Sequence, residues 1–441
     1  MSLSRYPKYK KSGEDWLGDV PEHWRVKRLR FVAQLNPSKA EVSGRRRDTV
    51  VSFLPMEAIG DDGTLILDHE RTLGEVDSGY TYFREGDVAV AKITPCFENG
   101  KGAVMRGLVN GIGFGTTELV VARPYPAQLS ASYLHYIFVS PDFLRLGEAH
   151  MFGAGGQKRV PDEFVRNFVT ALPPLAEQTD IAAFLDGETA KIDRLVAEQR
   201  HLMEVLREKR RAIISHAVTK GFNQNAAMRQ SGIDWIGRVP THWREVRLRD
   251  LFRQEKRQDQ TGNPVLSVYR EFGVIRKDSR DDNMNKTPED LSAYQLVNPG
   301  DLVVNKMKAW QGSLGISGLR GITSPDYLVF TPRHEERSEF LHLLLRSQRM
   351  VTIYRGISNG IRLAQWRLEP DAFLSLHVFL PPKEEQRELT SFVNVETSRF
   401  DALSAEAQRV IDLLLERRAA LISAAITGAI DLRERINGGQ P

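Results

Sequence analysis

The sequence predicts an α+β protein: two mixed α/β domains in a tandem pseudo-twofold repeat, separated by two long antiparallel coiled-coil helices. Three observations lead there. A block centred on tryptophan, Ser12-Gly13-Glu14-Asp15-Trp16-Leu17-Gly18-Asp19-Val20-Pro21-Glu22-His23-Trp24, returns 219 residues later as Ser231-Gly232-Ile233-Asp234-Trp235-Ile236-Gly237-Arg238-Val239-Pro240-Thr241-His242-Trp243. A second block, Leu172-Pro173-Pro174 through Glu177-Gln178, returns 208 residues later as Leu380-Pro381-Pro382 through Glu385-Gln386. A heptad-spaced apolar stretch follows each second block. The second copy is therefore about 11 residues shorter between its two blocks, so the frames match while the interiors have diverged.

Taken in order, residues 1–172 form the first domain. A buried strand is expected over Asp87–Ile93 after a turn at Glu85-Gly86, another at Leu119-Val120-Val121, and a helix from Ala131 to Leu146. Residues 173–221 hold the first long helix. Pro173-Pro174 suits a helix approach, and Gly221 a helix stop. Between Glu177 and Val218, apolar side chains at Leu185, Ile192, Leu195, Leu202, Leu206 and Ile213 describe a seam that weakens at Gln199. Residues 222–380 repeat the plan after a linker at 222–229. Strands are expected over Asp301–Met307 and Leu328–Phe330, and a helix from Glu339 to Tyr354. Residues 381–441 give the second long helix and a fraying tail, with a seam at Val393, Phe400, Leu403, Val410, Leu414 and Leu421 that weakens at Ala407, and a stop at Gly428. Each long helix would reach roughly 60 Å, and one helix alone cannot bury its seam, so each takes the other as partner.

The chain has 441 residues, 41% of them hydrophobic, and a net charge of +4. That is room for two or three domains with ordinary cores. No apolar run is long enough to span a membrane, and the first residues lack an apolar segment of the secretory kind. A single cysteine, Cys96, excludes an internal disulfide framework and a multi-cysteine metal site, which fits a reducing cytoplasm. Basic residues concentrate at Arg25, Lys27, Arg28, Arg30, Lys39, Arg45, Arg46 and Arg47 against Glu41. Such an excess is either a phosphate-binding footprint or a solvated face.

Catalytic signatures are missing. Gly100-Lys101 lacks the first glycine of a phosphate loop, with Pro95 standing in its place. Phe152-Gly153-Ala154-Gly155-Gly156 matches no dinucleotide fingerprint. The two Pro-Pro pairs follow leucine rather than the Asn or Asp of an amino-methyltransferase tetrad. His23, His135, His216 and His342 form no H-E-x-x-H cluster, and His23 and His242 beside their tryptophans suit packing or capping. Cys96 has no activating partner in sequence.

The repeated W-[LI]-G-x-V-P-x-H-W block and the repeated L-P-P-x-x-E-Q block resemble those of the specificity subunits of type I restriction-modification systems, the HsdS family. So do the helix endings, Lys209-Arg210-Arg211-Ala212-Ile213-Ile214-Ser215 with Val218-Thr219, and Arg417-Arg418-Ala419-Ala420-Leu421-Ile422-Ser423 with Ile426-Thr427. The resemblance covers essentially the whole chain. It implies two target-recognition domains, each reading one half of a bipartite sequence in double-stranded DNA. It also implies a coiled coil that docks two modification (methyltransferase) subunits. No cofactor and no metal is expected in this chain: S-adenosylmethionine belongs to the modification subunits, and ATP with magnesium to the restriction (translocase–nuclease) subunits. The chain would be cytoplasmic and have no active site of its own.

Sequence choice in such a protein comes from side chains reaching base edges, and affinity from phosphate contacts. Candidate DNA contacts lie on loops after the buried strands: Lys92, Asn99 and Lys101 in the first copy, and Asn305, Lys306, Lys308 and Gln311 in the second. Glycine-bearing loops add Gln157, Lys158 and Arg159, and Asn359 and Arg362. Two other classes remain open: a self-contained DNA methyltransferase, and a structural adaptor that joins partner proteins by its coiled coil.

Overall fold

The computed structural model describes residues 4–154, 156–223, 225–260, 262–280, 287–360 and 366–433. The chain divides into two compact units, 1–200 with 408–441, and 201–407. Each unit therefore holds one α/β lobe, the start of the long helix that follows it, and the end of the other long helix.

In the first unit an antiparallel sheet runs in the order Ala33–Leu35, Leu119–Pro124, Val88–Ala91, Gly102–Val104. A second sheet runs Glu70–Thr72, Val50–Leu54, Ile112–Gly115, Thr81–Arg84, its middle pair parallel. The second unit repeats the first sheet in the same order, as Phe252–Gln254, Tyr327–Pro332, Leu302–Asn305, Leu314–Ile316. Its outer strands follow the order of the second sheet, as Gly273–Arg276, Leu266–Tyr269, Gly321–Thr323, Gln295–Val297, the middle pair joined by a single parallel bridge between Val265 and Ile322. The outer sheet thus keeps its order in both units and differs in how extensively its middle strands pair. Each expected helix after these strands is two helices. Ala131–Phe138 stops and Ser140 caps a new helix, Pro141–Ala149, from a Phe143 N–H to its hydroxyl. The serine cap and the proline at the first turn restart the chain where apolar spacing alone reads straight through. Ser338–Leu345 and Gln348–Gly356 repeat the break at Ser347.

The first long helix spans Leu175–Lys220 and the second Lys383–Thr427. Gly221 and Gly428 end them in the left-handed region, φ +74° and +75°. In the first unit Leu185 shares a core with Ile426 while Asp193 pairs with Arg418 at 3.0 Å, so the two helical segments run antiparallel. In the second unit Val218 shares a core with Val393 and Arg210 meets Asp401 at 3.4 Å, in the same sense. One row of each expected seam is inward: Leu185, Ile192 and Leu206, and Val393 and Ala407, are buried. The other row is not. Leu195, Leu202 and Leu403 are 42%, 43% and 53% exposed. Thr189, Val196 and Ala217, and Thr397, Ile411 and Ala425, are buried in their place, four residues after the first row rather than three.

The two repeated blocks bind each other. In the first unit Glu177 accepts hydrogen bonds from Trp24 Nε1 at 3.1 Å and Tyr6 Oη at 2.6 Å through one oxygen, and meets His23 Nε2 at 2.8 Å with the other. In the second, Glu385 takes Trp243 Nε1 at 3.2 Å and His242 Nε2 at 2.6 Å. The neighbouring glutamines finish the joint. Gln178 accepts from the Ser130 N–H at 2.9 Å and donates to the Pro173 carbonyl, and Gln386 accepts from the Arg337 N–H at 3.1 Å and donates to the Pro381 carbonyl. The end of the other long helix closes over each tryptophan. A Cβ on Gly428 would lie 2.3 Å from Pro21, so only glycine fits there.

Removing Glu177 strands two buried donors, Tyr6 and Trp24, and the exposed His23, whereas removing the more exposed Glu385 strands the buried Trp243 and the exposed His242. Glu177→Ala is expected to cost about 2–4 kcal/mol of stability and Glu385→Ala about half of that. Urea unfolding of the two variants checks the order.

His135 and His342 occupy equivalent places, each beneath a left-handed glycine. A Cβ on Gly63 would meet His135 at 3.0 Å, and one on Gly273 would meet His342 at 2.7 Å. Burial pushes His135 down to about 4, and burial with the nearby Arg346 guanidinium pushes His342 down to about 4. The unfolded imidazole takes its proton near 6.5, so this stabilisation is complete above pH 6.5 and is lost as pH falls toward 4. Unfolding free energy is expected to drop by about 1.5 kcal/mol per histidine between pH 6.5 and 5. The His135→Asn and His342→Asn variants should flatten that slope in urea titrations; a slope unchanged in both would contradict the assignment.

Candidate nucleic-acid interface

In the first unit the fully buried strand Val88–Ala91 ends at Lys92, where the chain leaves the sheet. Turn geometry at the strand's entrance is set by Asp87. It accepts the Arg84 N–H at 2.9 Å and the Arg123 guanidinium at 2.6 and 2.8 Å. Asp301 repeats this with the Asn298 N–H at 2.7 Å and with Arg257. Burial pushes the Asp301 carboxyl above its ordinary value.

Lys92 is stitched into a small backbone network. Its N–H donates to the Glu118 carbonyl and its carbonyl accepts the Val160 N–H, both at 2.8 Å, while the Thr94 N–H reaches the Lys158 carbonyl at 3.0 Å. Phe152 and Arg159 close the loop between them with reciprocal hydrogen bonds of 3.1 and 2.9 Å. Arg159 then lays two nitrogens on the Glu118 carboxylate, 2.8 Å each. Those hydrogen bonds hold Glu118 below the usual carboxylate range and raise Arg159. Lys92 also lines a polar cleft of about 230 Å³ with Asn36, Lys39 and Tyr80. Four of the six expected residues of this copy, Lys92, Gln157, Lys158 and Arg159, therefore meet on one surface. Gln157 and Lys158 project into solvent there, and Arg159 serves the loop's closure.

Asn99 and Lys101 lie apart from that surface. The turn after Pro95 folds back because Phe97 is buried against Phe143. Asn99 lines a cavity of about 470 Å³ with Asp61, Arg145 and Arg418, and Lys101 donates to the Met56 carbonyl at 3.2 Å.

The second unit builds the same joint from different side chains. Lys306 accepts the Leu368 N–H at 3.0 Å, as Lys92 accepts that of Val160. Asn359 pairs with Arg367 in a two-residue ladder, as Phe152 pairs with Arg159. Asn305 closes the turn by accepting the Met307 and Lys308 N–H groups at 3.0 and 3.2 Å, and Lys306 Nζ donates to the Pro325 carbonyl at 3.3 Å. Lys308 and Asn359 are exposed and Gln311 is half-buried. Arg362 lies outside the described residues. Trp310, unmarked in the sequence reading, packs on Trp366 at 5.6 Å beneath Arg355. A signal for the joint was present: Arg159 and Arg367 each stand 18 residues before the glutamate of their E-Q pair.

The basic run near the start splits in two. Arg46 and Arg47 are answered by Asp48 and Asp77, and Lys39 by the Asp77 carbonyl. Arg25, Arg28 and Arg30 face no carboxylate within 4.0 Å among the described residues. No group of three or more metal-ligating side chains occurs among the described residues, and no helix among them is long and apolar enough to cross a membrane.

Because Glu118 fixes Arg159, Glu118→Ala is expected to loosen the loop without unfolding the lobe. Amide exchange at Thr94 and Val160 should speed up about tenfold while exchange in the sheet stays unchanged. Mass-spectrometric or NMR hydrogen exchange reads this directly.

No family model matches the chain. Among curated proteins it is 46% identical over 168 residues to the type I restriction enzyme EcoAI specificity subunit of Escherichia coli, a match covering 37% of this chain and 27% of that protein. It is 44% identical over 164 residues to the EcoEI specificity subunit of the same species, with the same shares of 37% and 27%. The match thus spans little more than a quarter of the length of these relatives. Among solved structures, a chain from work on complex assembly and conformational transition of the type I R-M system aligns with TM-score 0.67 at 18% identity, over 92% of this chain and 98% of that one. The HsdS subunit from Thermoanaerobacter tengcongensis aligns with TM-score 0.51 at 18% identity, over 93% and 98%. At that identity the structural likeness establishes the fold. By fold along nearly its whole length, and by sequence over more than a third of it, this chain is similar to the specificity subunits of type I restriction enzymes.

Proposed function

We propose that this chain is the DNA-recognition subunit of a type I restriction-modification complex. It reads a bipartite target in double-stranded DNA and directs adenine methylation or restriction by partner subunits. The observation that carries the reading is the repeated loop joint, anchored at the carbonyls of Lys92 and Lys306 in the two units and different in side chains, in units whose frames match. A duplicated frame with unlike reading loops is what two unlike half-sites require.

In this reading Lys92 and Lys158, and Lys306 and Lys308, supply charge for phosphates, while Gln157, Gln311 and Asn359 offer amides to base edges. Arg159 shapes its loop, and Asn99, Lys101, Asn305 and Arg362 complete the set of candidate contacts. Two modification subunits and the restriction subunits are the protein partners. S-adenosylmethionine, ATP and magnesium belong to those partners, and this chain supplies no catalytic group. The complex acts in the cytoplasm.

Mapping methylated adenines in DNA exposed to the chain with its modification partner tests the whole reading. Two short blocks separated by a fixed gap are expected. Scattered methylation, or S-adenosylmethionine binding by the isolated chain, would favour a self-contained methyltransferase. Partner assembly without sequence preference would favour an adaptor.

A phosphate contact also has its own signature. Lys158→Ala should weaken binding to all duplexes alike and reduce the slope of log affinity against log salt by about 1. A changed sequence preference with an unchanged slope would remove Lys158 from the phosphate set.

A further inference from the structure

Phe152 is 63% exposed, and no ring or cation stacks on it among the described residues. A single exposed apolar side chain is common on a protein surface, so it is the place of this one that bears on function. Hydrogen bonds hold the backbone on either side of it. Reciprocal hydrogen bonds tie Phe152 to Arg159, and Glu118 clamps Arg159 from the sheet. Its neighbours in the loop, Gln157 and Lys158, are polar and exposed, so the ring stands alone as an apolar group among hydrogen-bonding and charged ones.

We propose that Phe152 is a specificity-determining residue that reads the 5-methyl group of a thymine in the major groove of one half-site. The inference rests on the DNA-recognition reading above and deepens it. Base edges in the major groove present donors, acceptors and one apolar group, the thymine methyl. A phenyl ring has neither donor nor acceptor, so that methyl is the only feature of a base edge it matches. The basic side chain beside it brings the sugar-phosphate backbone to the same surface, and the closed loop fixes the ring's position in advance, which lowers the entropic cost of the contact. The second unit places Asn359 at the corresponding rung of its ladder. An amide there matches an adenine edge instead. One structural position thus carries apolar reading in one copy and donor–acceptor reading in the other.

The test begins with duplexes selected from a random library by the full chain with its modification partner. Each thymine of the selected site is then replaced, one at a time, by deoxyuridine, which removes only the methyl. One replacement should weaken binding of the wild type about fourfold, the worth of one buried methyl group. The same replacement should have no effect on Phe152→Ala and should keep its effect on Phe152→Leu, which retains an apolar group and guards against a folding defect. The salt slope should be equal in all three. No sensitive thymine in the wild type, or an equal deoxyuridine penalty in Phe152→Ala, would overturn the proposal. Lost affinity in Phe152→Ala without coupling to any methyl would overturn it too, and would point to insertion between base steps. Failure of the wild type to select any sequence would instead overturn the recognition reading beneath it.

Discussion

The structure depends on a carboxylate at the beginning of each long helix. Glu177 and Glu385 stand in the first turn, where backbone N–H groups lack intrahelical partners and negative charge is favoured. Each also reaches across to an indole and an imidazole that the chain supplied more than 140 residues earlier. A tryptophan can be fully buried only if its N–H is satisfied, and the glutamate does that. The same joint receives the end of the other helix, through Gly428 at Trp24 and Gly221 at Trp243. One polar contact therefore fixes three segments distant in sequence. In the first unit Tyr6 adds a third donor, and both burial and Glu177 push its phenol far above the ordinary value.

A frame determined this fully leaves the lobes free to vary. The inner sheet keeps its strand order in both units, and its two middle strands are largely buried in the core. The outer sheet keeps its order too, but its middle pairing is a ladder in one unit and a single bridge in the other. The candidate loops combine the two. Their backbone is held by the inner sheet through the carbonyls of Lys92 and Lys306, while Gln157, Lys158, Lys308 and Asn359 are exposed. Conserved backbone with free side chains is the arrangement in which recognition can change without loss of fold.

Much of this was legible in the sequence, and the limits follow from what spacing encodes. Repetition revealed the frame, since Trp16 and Trp235, or Pro173 and Pro381, match whatever their surroundings. Seven-residue periodicity found one row of the helical seam. It chose Leu195, Leu202 and Leu403 for the other because they are apolar, although the inward positions are filled by Thr189, Val196, Thr397 and Ile411. The break at Ser140 was hidden by uninterrupted apolar spacing, though Ser-Pro at a helix start is a recognisable cap. The pairing of Glu177 with His23 and Trp24 was not readable, because the sequence marks both blocks as special without saying that they touch. In the candidate interface, residue type selected Lys92 and Lys158 and equally selected Lys101 and Asn305, which engage backbone of their own chain. Phe152 stands in the sequence as part of a glycine-rich stretch without a fingerprint, and only its exposure in the structure singles it out.

The polar members of the helical seam bear on the same point. A seam of leucine alone would bury more apolar area but would permit neighbouring registers and orientations. Here Thr189 and Thr397 return their hydroxyls to their own helices, the first to the Leu185 carbonyl at 2.7 Å. Arg210 and Arg418 occupy seam positions and lean on Asp401 and Asp193 of the facing segment. Such pairs add little net stability, because desolvation offsets attraction. A slip by one heptad would set Arg210 against Asn394 or Gln408 instead of Asp401. The effect of the pairs is to favour one register modestly over its neighbours. The arginine pairs hold the register along each helical segment as the glutamate joints hold it at the ends, and a lobe attached to such a segment inherits a fixed position along it.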